Sequence, residues 1–175
     1  MAERPDPCHA VVDSPIGPLT IAANERGVTG IYMQAHSHPP APEALGKKLE
    51  SPGDDPFIAR AARELGEYFA GQRTTFDVPL DAAGTEFQRR VWAELARIPF
   101  GQTRSYGDLA LELGDVKLTR AVGTANGRNP VSIIVPCHRV IGADGSLTGY
   151  AGGLDRKLFL LRLEGIVPEP EETLF

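Results

Sequence analysis

Residues 133–142 read "IIVPCHRVIG", and they place a cysteine beside a histidine at a proline break between two apolar runs. A cysteine is a nucleophile only as its thiolate, and a neighbouring imidazole that can accept the proton is the usual route to that form. Helical patterns precede and follow this buried run, so the same stretch marks a mostly helical second half of the chain.

Three interpretations of Cys137 are open from the pair alone. It is a small buried hydrophobe, one half of a metal site, or a nucleophile whose base is the next residue. The first is favoured without further context, because free cysteine is among the most buried residue types. No metal is predicted, because the three candidate pairs lack a familiar zinc spacing. Those pairs are Cys8-His9, His36-x-His38 and Cys137-His138.

Composition restricts the class of protein. The chain has 175 residues, 42% hydrophobic and 23% charged, which is typical of a globular protein with one good-sized domain or two small ones sharing a core. No apolar run reaches membrane-spanning length, and the start "MAERPDPCHA" lacks the apolar stretch of a signal peptide. With two cysteines and no disulfide framework, we expect free thiols and a cytoplasmic protein.

The net charge of −5 is unevenly distributed. Residues 85–165 carry 11 Lys/Arg against 8 Asp/Glu, whereas residues 166–175 carry three acids. The segment that holds the Cys-His pair is therefore the basic part of an acidic chain. This permits a phosphate-facing surface there without demanding one.

The first 83 residues are predicted to form a small sheet domain. Residues 10–33 predict a strand meander, because runs rich in β-branched residues are broken by turn sequences. Residues 34–54 predict a surface loop and residues 74–80 a further strand. A domain boundary is placed near residue 83, dividing the chain into 1–83 and 84–175.

A helix is predicted between that loop and that strand, over "DDPFIARAARELGEYFAG". Asp55 stands at the N-cap and Pro56 at the first helical position. The apolar residues that follow recur at helical spacing, so this helix has one face for the core.

The second half predicts helices with their own start signals. Thr85 and Gln88 have the spacing of a capping box, and Ser105 and Asp108 repeat it. A short link then leads to a helix over "LTRAVGTANG", so residues of about 105–127 predict a helix-turn-helix. A last helix is predicted from Leu154 to Glu164.

The second helix of this pair is built mostly from small residues. A glycine costs a helix about 1 kcal/mol against alanine, so Gly123 and Gly127 need a reason. One reason is close packing in the core; the other is a smooth surface that enters a narrow groove, with Arg120 as its one long side chain. A major-groove reader would display several long polar side chains, so any DNA contact is predicted to be sequence-independent and in the minor groove.

The segments "NPVSIIVPCHRVIG" and "GSLTGYAGGLDRKLFLLRLEG" resemble the active-site signature of the O6-alkylguanine-DNA alkyltransferases, or methylated-DNA–protein-cysteine methyltransferases. The likeness extends through "FQRRVWAELARIPFGQTRSYGDLA" and "TRAVGTANGRNP", strongly over residues 85–165 and loosely before them. It implies an α+β fold: an amino-terminal antiparallel-sheet, ribonuclease-H-like domain, then a mostly helical carboxy-terminal domain with the helix-turn-helix and an active-site segment at 129–164.

The resemblance also implies catalytic roles. Cys137 would accept the alkyl group from guanine O6, His138 would act as base through a water, and Glu164 would hold the productive tautomer of that histidine. Asn129 would brace the active-site turn. Tyr106 would help to turn out the target nucleotide and would donate a hydrogen bond to ring nitrogen N3.

Two further groups of residues follow from the same resemblance. Arg120 would enter the duplex and fill the gap left by the flipped base, and its neighbours would lie in the minor groove. Tyr150 and the backbone around it would line the base pocket, with Lys157 near the rim. The remaining DNA-contacting candidates are Thr119, Ala121, Gly123, Thr124 and Arg128, and the remaining pocket candidates are Gly149, Ala151 and Val140.

The implied function is DNA repair by direct reversal, in which one protein molecule removes one alkyl group from guanine O6, or less readily from thymine O4. The implied partner is double-stranded DNA, bound without sequence preference by a monomer, with no cofactor; cooperative binding along DNA is left open. The location would be cytoplasmic, and nucleoid-associated in a bacterium. Two alternatives remain: a non-catalytic lesion-binding module, and a hydrolase that uses Cys137, His138 and Glu164.

The chain departs from the family pattern in two places. Position 151 is alanine, where some relatives have a serine that can contact O6. The amino-terminal zinc ligands of some relatives have no match here, which agrees with the expectation of no metal.

Overall fold

The amino-terminal part of the chain is built around a four-stranded sheet. The computed structural model describes residues 7–168; residues 1–6 and the acidic tail 169–175, at the outer ends of the two predicted domains, lie outside it. Strands β1 (Cys8–Val12), β2 (Leu19–Ala23) and β3 (Val28–Met33) pair antiparallel, which confirms the predicted meander. A two-residue strand, β4 (Lys47–Lys48), pairs parallel with β1 and completes the order β3-β2-β1-β4.

The predicted surface loop at 34–54 contains short ordered elements. They are helix α1 (Pro42–Leu45), strand β4 and a 3₁₀ turn over Pro52–Asp54. The prediction of a loop throughout this segment is therefore wrong.

The predicted strand at 74–80 is also wrong. Only Leu80 forms a bridge, to Val28. The amides of Asp77 and Val78 donate to Oε1 of the buried Glu64, at 2.7 and 3.2 Å. Because a helix side chain takes these donors, they are not available to a neighbouring strand.

Helix α2 (Pro56–Phe69) packs on the sheet. Oδ1 of Asp55 accepts hydrogen bonds from the amides of Phe57 and Ile58 at 2.9 and 3.0 Å, which confirms the predicted N-cap. The face turned to the sheet is the predicted apolar one, and its buried members include Ile58, Ala61 and Leu65.

The second half is mostly helical, as predicted. Both capping boxes are present, at Thr85 with Gln88 and at Ser105 with Asp108. The helices are α3 (Glu86–Ala96), α4 (Tyr106–Glu112), α5 (Thr119–Gly127) and α6 (Leu154–Leu163). Two short strands, β5 (Arg104–Ser105) and β6 (Val140–Ile141), pair parallel between them, and a 3₁₀ turn over Val116–Leu118 joins α4 to α5.

One hydrophobic core extends through both halves. The amide of Ile31 in β3 donates to the carbonyl of Pro130 at 2.8 Å, and Ile31 bridges to Val131. Indole Nε1 of Trp92 in α3 donates to the carbonyl of Ala125 in α5 at 2.9 Å. The segment that leads to Cys137 is thus built onto the edge of the amino-terminal sheet, and a division into two domains near residue 83 stays a prediction.

We expect Asp55→Ala to lower the free energy of unfolding by about 1–2 kcal/mol, because two amides in the first turn of α2 lose their acceptor. Urea denaturation followed by circular dichroism measures the change. Asp55→Asn is the matched control, since its side-chain oxygen can still accept, and it should cost less than about half as much. Equal losses in the two variants would show that the cap is not the cause.

Candidate active site

The turn that carries Cys137 is closed by one buried side chain, that of Asn129. Its Nδ2 donates to the carbonyl of Val135 at 2.8 Å, and its Oδ1 accepts from the amide of Val131 at 3.0 Å. Ile133, inside the turn, has a φ of 75°, which a β-branched residue rarely adopts. Asn129 therefore holds the backbone across a strained residue, in the position expected of a brace.

Cys137 is almost fully enclosed. It begins a 3₁₀ turn over Cys137–Arg139, and only 3% of its surface is exposed. Burial raises the pKa of its thiol, and the nearby Asn129, Lys157 and Tyr150 oppose this without reversing it. The thiol is therefore protonated at neutral pH and needs a base before it can act as a nucleophile.

His138 is the candidate base. Its ring is fully buried, and its Nε2 lies 2.6 Å from Oε2 of Glu164. Since an ionised carboxylate can only accept, Nε2 carries the hydrogen, and Nδ1 keeps a lone pair that meets no hydrogen-bond donor among the described residues. Burial lowers the pKa of His138, and the contact with Glu164 offsets this only in part. The result is a neutral imidazole with one acceptor nitrogen available.

Glu164 accepts five hydrogen bonds from the described residues. Its Oε2 accepts from His138, from Oη of Tyr68 at 2.7 Å and from Nη2 of Arg139 at 3.1 Å. Its Oε1 accepts from Nε of Arg139 at 2.7 Å and from the amide of Gly101 at 3.3 Å. Burial alone would raise the pKa of this carboxyl, but the hydrogen bonds from His138 and Arg139 outweigh it and lower the pKa to about 2.

Sequence reasoning missed three of these partners: the side chains of Arg139 and Tyr68 and the amide of Gly101. Arg139 carried a signal, because an arginine inside an apolar run is rarely buried unless a carboxylate meets it. Tyr68 lies on the buried face of α2, and a buried hydroxyl usually has a hydrogen-bond partner. Its partner is 96 residues away in the sequence, so no local pattern could have identified Glu164.

Two of the predicted pocket residues, Tyr150 and Lys157, act on the Cys137 thiol, and the prediction for one of them needs correction. Tyr150 is buried, Ala151 is half-buried and Gly149 is exposed. The prediction that Lys157 lies near the rim is wrong. Lys157 is fully buried, and its Nζ donates to the carbonyls of Val140 at 2.6 Å and Thr148 at 3.2 Å.

The burial of Lys157 has a structural and an electrostatic consequence. Its two hydrogen bonds tie the start of β6 to the loop before Tyr150, so the lysine joins these two segments from inside. Burial lowers the pKa of the Lys157 ammonium to about 8, although the nearby Cys137 acts in the opposite direction.

A shallow groove of about 720 Å³ lies along α4 and α5. Arg120 and Thr124 are exposed there, as is Ala121 on the same helix, while Thr119 and Gly123 are half-buried. Tyr106 begins α4 at this groove, and its Oη is hydrogen-bonded to Oγ1 of Thr148 at 2.6 Å. The groove lining is completed by Lys117, next to the predicted set. The structure therefore brings these candidate DNA-contacting residues together.

Arg128 lies apart from that group. It follows the last residue of α5, is exposed, and lines a different cavity together with Tyr32, His36 and His38 of the amino-terminal half. The resemblance placed Arg128 among the DNA-contacting candidates, and the structure places it where the two halves of the chain meet.

The other cysteine differs from Cys137. Cys8 lies in β1, and its Sγ is 3.6 Å from Oδ2 of Asp55. Burial and the Asp55 carboxylate raise the pKa of its thiol to about 11, and no histidine activates it among the contacts of the described residues. Within residues 7–168, no three His, Cys, Asp or Glu side chains are grouped as metal ligands. In the same residues, no helix is long and apolar enough to cross a membrane.

Two family models match this chain, and together they cover most of it. Residues 8–82 match the model described as the ribonuclease-like domain of 6-O-methylguanine DNA methyltransferase. Residues 86–166 match the model described as the DNA binding domain of 6-O-methylguanine DNA methyltransferase.

Known proteins are similar over nearly their whole length. The chain is 49% identical over 161 residues to a methylated-DNA--protein-cysteine methyltransferase of Methanosarcina acetivorans, covering 90% of this chain and 97% of that protein. It is 50% identical over 167 residues to one of Mycolicibacterium paratuberculosis, covering 95% and 98%. The crystal structure of Mycobacterium tuberculosis OGT in complex with DNA is similar with a TM-score of 0.82 and 49% identity, covering 90% of this chain and 92% of that one.

We expect Glu164→Gln to lower the free energy of unfolding by about 3 kcal/mol or more, because it leaves the buried Arg139 guanidinium without a counter-charge. The loss should be large at pH 7 and should shrink on acidification below about pH 4.5. The carboxylate has a depressed pKa, so its stabilisation is full above the unfolded-state pKa of about 4.3 and is lost towards the folded pKa.

Urea denaturation of both proteins from pH 3 to pH 7 measures this difference. The control is Glu50→Gln on the exposed surface, where we expect a change within about 0.5 kcal/mol. A Glu164→Gln effect as small as the control would contradict the account of a buried, fully paired carboxylate.

Proposed function

The chain belongs to the 6-O-methylguanine DNA methyltransferase family, and we propose that it repairs DNA by moving the alkyl group of O6-alkylguanine to its own Cys137. The observation that carries the assignment to this residue is the buried arrangement of Cys137, His138 and Glu164. A protonated thiol, a neutral imidazole and an ionised carboxylate follow one another in the order that proton removal requires.

The chemistry is a displacement at the alkyl carbon. A bond forms between Sγ of Cys137 and that carbon, and the bond from the carbon to guanine O6 breaks with its electron pair left on the guanine. The thiol gives its proton to Nδ1 of His138 through an intervening water, and the guanine takes up one proton as it leaves. Because the product is a thioether, water does not reverse the step, and each protein molecule acts once.

The carboxylate has an electrostatic part in this step. When Nδ1 of His138 takes the proton, the imidazolium forms against a carboxylate that already accepts from Nε2. The low pKa of Glu164 keeps the proton on the histidine, because the carboxylate is too weak a base to remove it. Asn129 and Lys157 hold the backbone on either side of the pocket, through the contacts described above.

The groove on α4 and α5 is proposed to receive the minor groove of the DNA. The alkylated base is hidden inside a duplex, so it must be turned out before Cys137 can reach it. Arg120 would fill the vacated place in the stack, and the small residues around it would let the helix backbone come close to the DNA. Tyr106 would then exchange its hydrogen bond with Thr148 for one to guanine N3, where charge develops as the base leaves.

Several finer statements are part of the same proposal. The pocket around Tyr150 accepts O6-alkylguanine and, less readily, O4-alkylthymine. The protein acts as a monomer without a cofactor, on DNA of any sequence, in the cytoplasm. The sheet domain and the helical domain meet near residue 83, and the hydrogen bond from Tyr68 to Glu164 ties the first to the second.

Incubation with a duplex that contains one O6-methylguanine, followed by intact-protein mass spectrometry, tests the proposed function. We expect the mass of one methyl group on each protein molecule and peptide mapping to Cys137, with no reaction of Cys137→Ala. Cys8→Ala is the matched control and should react like the wild type, because burial and the Asp55 carboxylate raise the pKa of the Cys8 thiol to about 11.

Other outcomes would select the alternatives. Repeated turnover without a mass increase would indicate a hydrolase. Tight binding to the lesion without transfer would indicate a lesion-binding module. A label on Cys8 would contradict the assigned acceptor.

Arg120→Ala should separate base flipping from chemistry. We expect repair of the duplex to slow by at least about tenfold, since the stack is no longer filled where the base leaves. Reaction with free O6-benzylguanine should change less than about twofold, because a free base needs no flipping. Lys117→Ala, at the same groove, controls for loss of a positive charge alone. Equal losses for duplex and free base in Arg120→Ala would contradict the role assigned to this side chain.

A further inference from the structure

Helix α2 of the amino-terminal half supplies one group directly to the catalytic carboxylate. Tyr68 is 1% exposed, and its Oη donates to Oε2 of Glu164 at 2.7 Å. The same oxygen accepts from Nε2 of His138 at 2.6 Å. The tyrosine hydroxyl and the imidazole are therefore joined through a single oxygen atom.

We propose that Tyr68 is a positioning residue of the alkyl-transfer site, whose hydroxyl limits the negative charge that Glu164 presents to His138 and so sets the proton affinity of the base. The inference rests on the proposed function, because it assigns His138 the task of removing the thiol proton. It gives the amino-terminal sheet domain a part in the chemistry as well as in packing.

Hydrogen bonds to a shared oxygen influence one another. Each donor draws electron density from Oε2, so a second donor weakens the pull of that oxygen on the first. The site is buried, and charge-assisted hydrogen bonds are stronger there than in water. With Tyr68 in place, the carboxylate holds the imidazolium less firmly than it would alone, and His138 gives up its proton more readily.

The hydroxyl of Tyr68 is separable from the packing of its ring. The ring centroid lies 5.4 Å from that of Phe69, 5.4 Å from that of Phe76 and 6.3 Å from that of Phe100. A phenylalanine at position 68 would keep these ring contacts. The hydrogen bond to Glu164 is the property that only the tyrosine provides.

The other charged groups that face the relay stay in place when the hydroxyl is removed. Arg139, in the same 3₁₀ turn as His138, still donates to both oxygens of Glu164. Lys157 of α6 also acts on the charge of His138, and the Cys137 thiol acts on that of Lys157. A change in the titration of His138 can therefore be assigned to the oxygen that it shares with Tyr68.

The test is the rate of Cys137 alkylation by free O6-benzylguanine as a function of pH, in the wild type and in Tyr68→Phe. Without the hydroxyl, Glu164 stabilises the imidazolium more strongly, so His138 stays protonated to a higher pH and the neutral base is lost sooner on acidification. We expect the acid limb of the profile to move up by about half to one pH unit, less than the full strength of one hydrogen bond to a charged group, because the effect reaches His138 only through the shared oxygen. The plateau rate should change by less than about threefold.

Phe76→Leu is the matched control, because it disturbs the same ring cluster without touching Glu164. It should lower the thermal midpoint while the acid limb stays in place. The positioning role would be overturned if the acid limb of the pH–rate profile stayed at the same pH in Tyr68→Phe, or if it shifted by the same amount in Phe76→Leu.

A direct titration of the His138 imidazole by NMR keeps this test separate from the test of the proposed function. A raised imidazole pKa in Tyr68→Phe supports the inference even if alkylation is not observed, and an unchanged one overturns it. Failure of the wild type to take up the benzyl group, with the His138 titration shifted as expected, would count against the proposed function alone.

Discussion

A carboxylate stays ionised inside a protein only if its oxygens accept hydrogen bonds, and the donors to Glu164 come from three other segments of this chain. The donors come from α2, from the loop after α3 and from two consecutive residues of the 3₁₀ turn. Glu164 itself directly follows the last residue of α6, where its backbone amide donates to the carbonyl of Leu160 at 3.0 Å. Because all of these must converge on two atoms, the position of the histidine beside Cys137 is a property of the whole fold.

The two residues after Cys137, His138 and Arg139, both donate hydrogen bonds to Glu164, and the two contacts have different effects. Arg139 supplies a permanent positive charge through two nitrogen atoms, and this keeps Glu164 ionised. His138 supplies one neutral N–H, and this leaves its other nitrogen able to accept a proton. In the resting state the cluster is electrically neutral, so burying it is less costly than burying an isolated charge.

Helix caps could be predicted from neighbouring residues in the sequence, whereas contacts between residues far apart in the sequence could not. The caps at Asp55, Thr85 and Ser105 were predicted correctly because a cap depends on residues two or three positions away.

The prediction of a strand at 74–80 was wrong because the carboxylate of Glu64, which lies on helix α2, accepts hydrogen bonds from two of its amides. The resemblance to the family placed Lys157 near the rim of the pocket, and only the folded structure shows that the side chain is buried and bound by two carbonyls. The Cys-His pair was conspicuous, yet its chemistry could be argued only from the resemblance to a family; the tyrosine that completes the relay lay beyond any local pattern.

The hydrogen bond from Trp92 to the carbonyl of Ala125 has a consequence for how DNA would deform on binding. It joins the carbonyl of Ala125, near the end of α5, to the side chain of Trp92 in α3. A tilt of α5 would therefore break this hydrogen bond or move α3 as well. In the proposed complex, a stiff helix meets a duplex that bends under modest force, and the adjustment falls on the duplex. The protein then acts as a fixed template on which base pairs are strained alike. Those that an alkyl group has already weakened would open first, so the mechanical properties of the DNA would select the lesion before the alkyl group reaches Cys137.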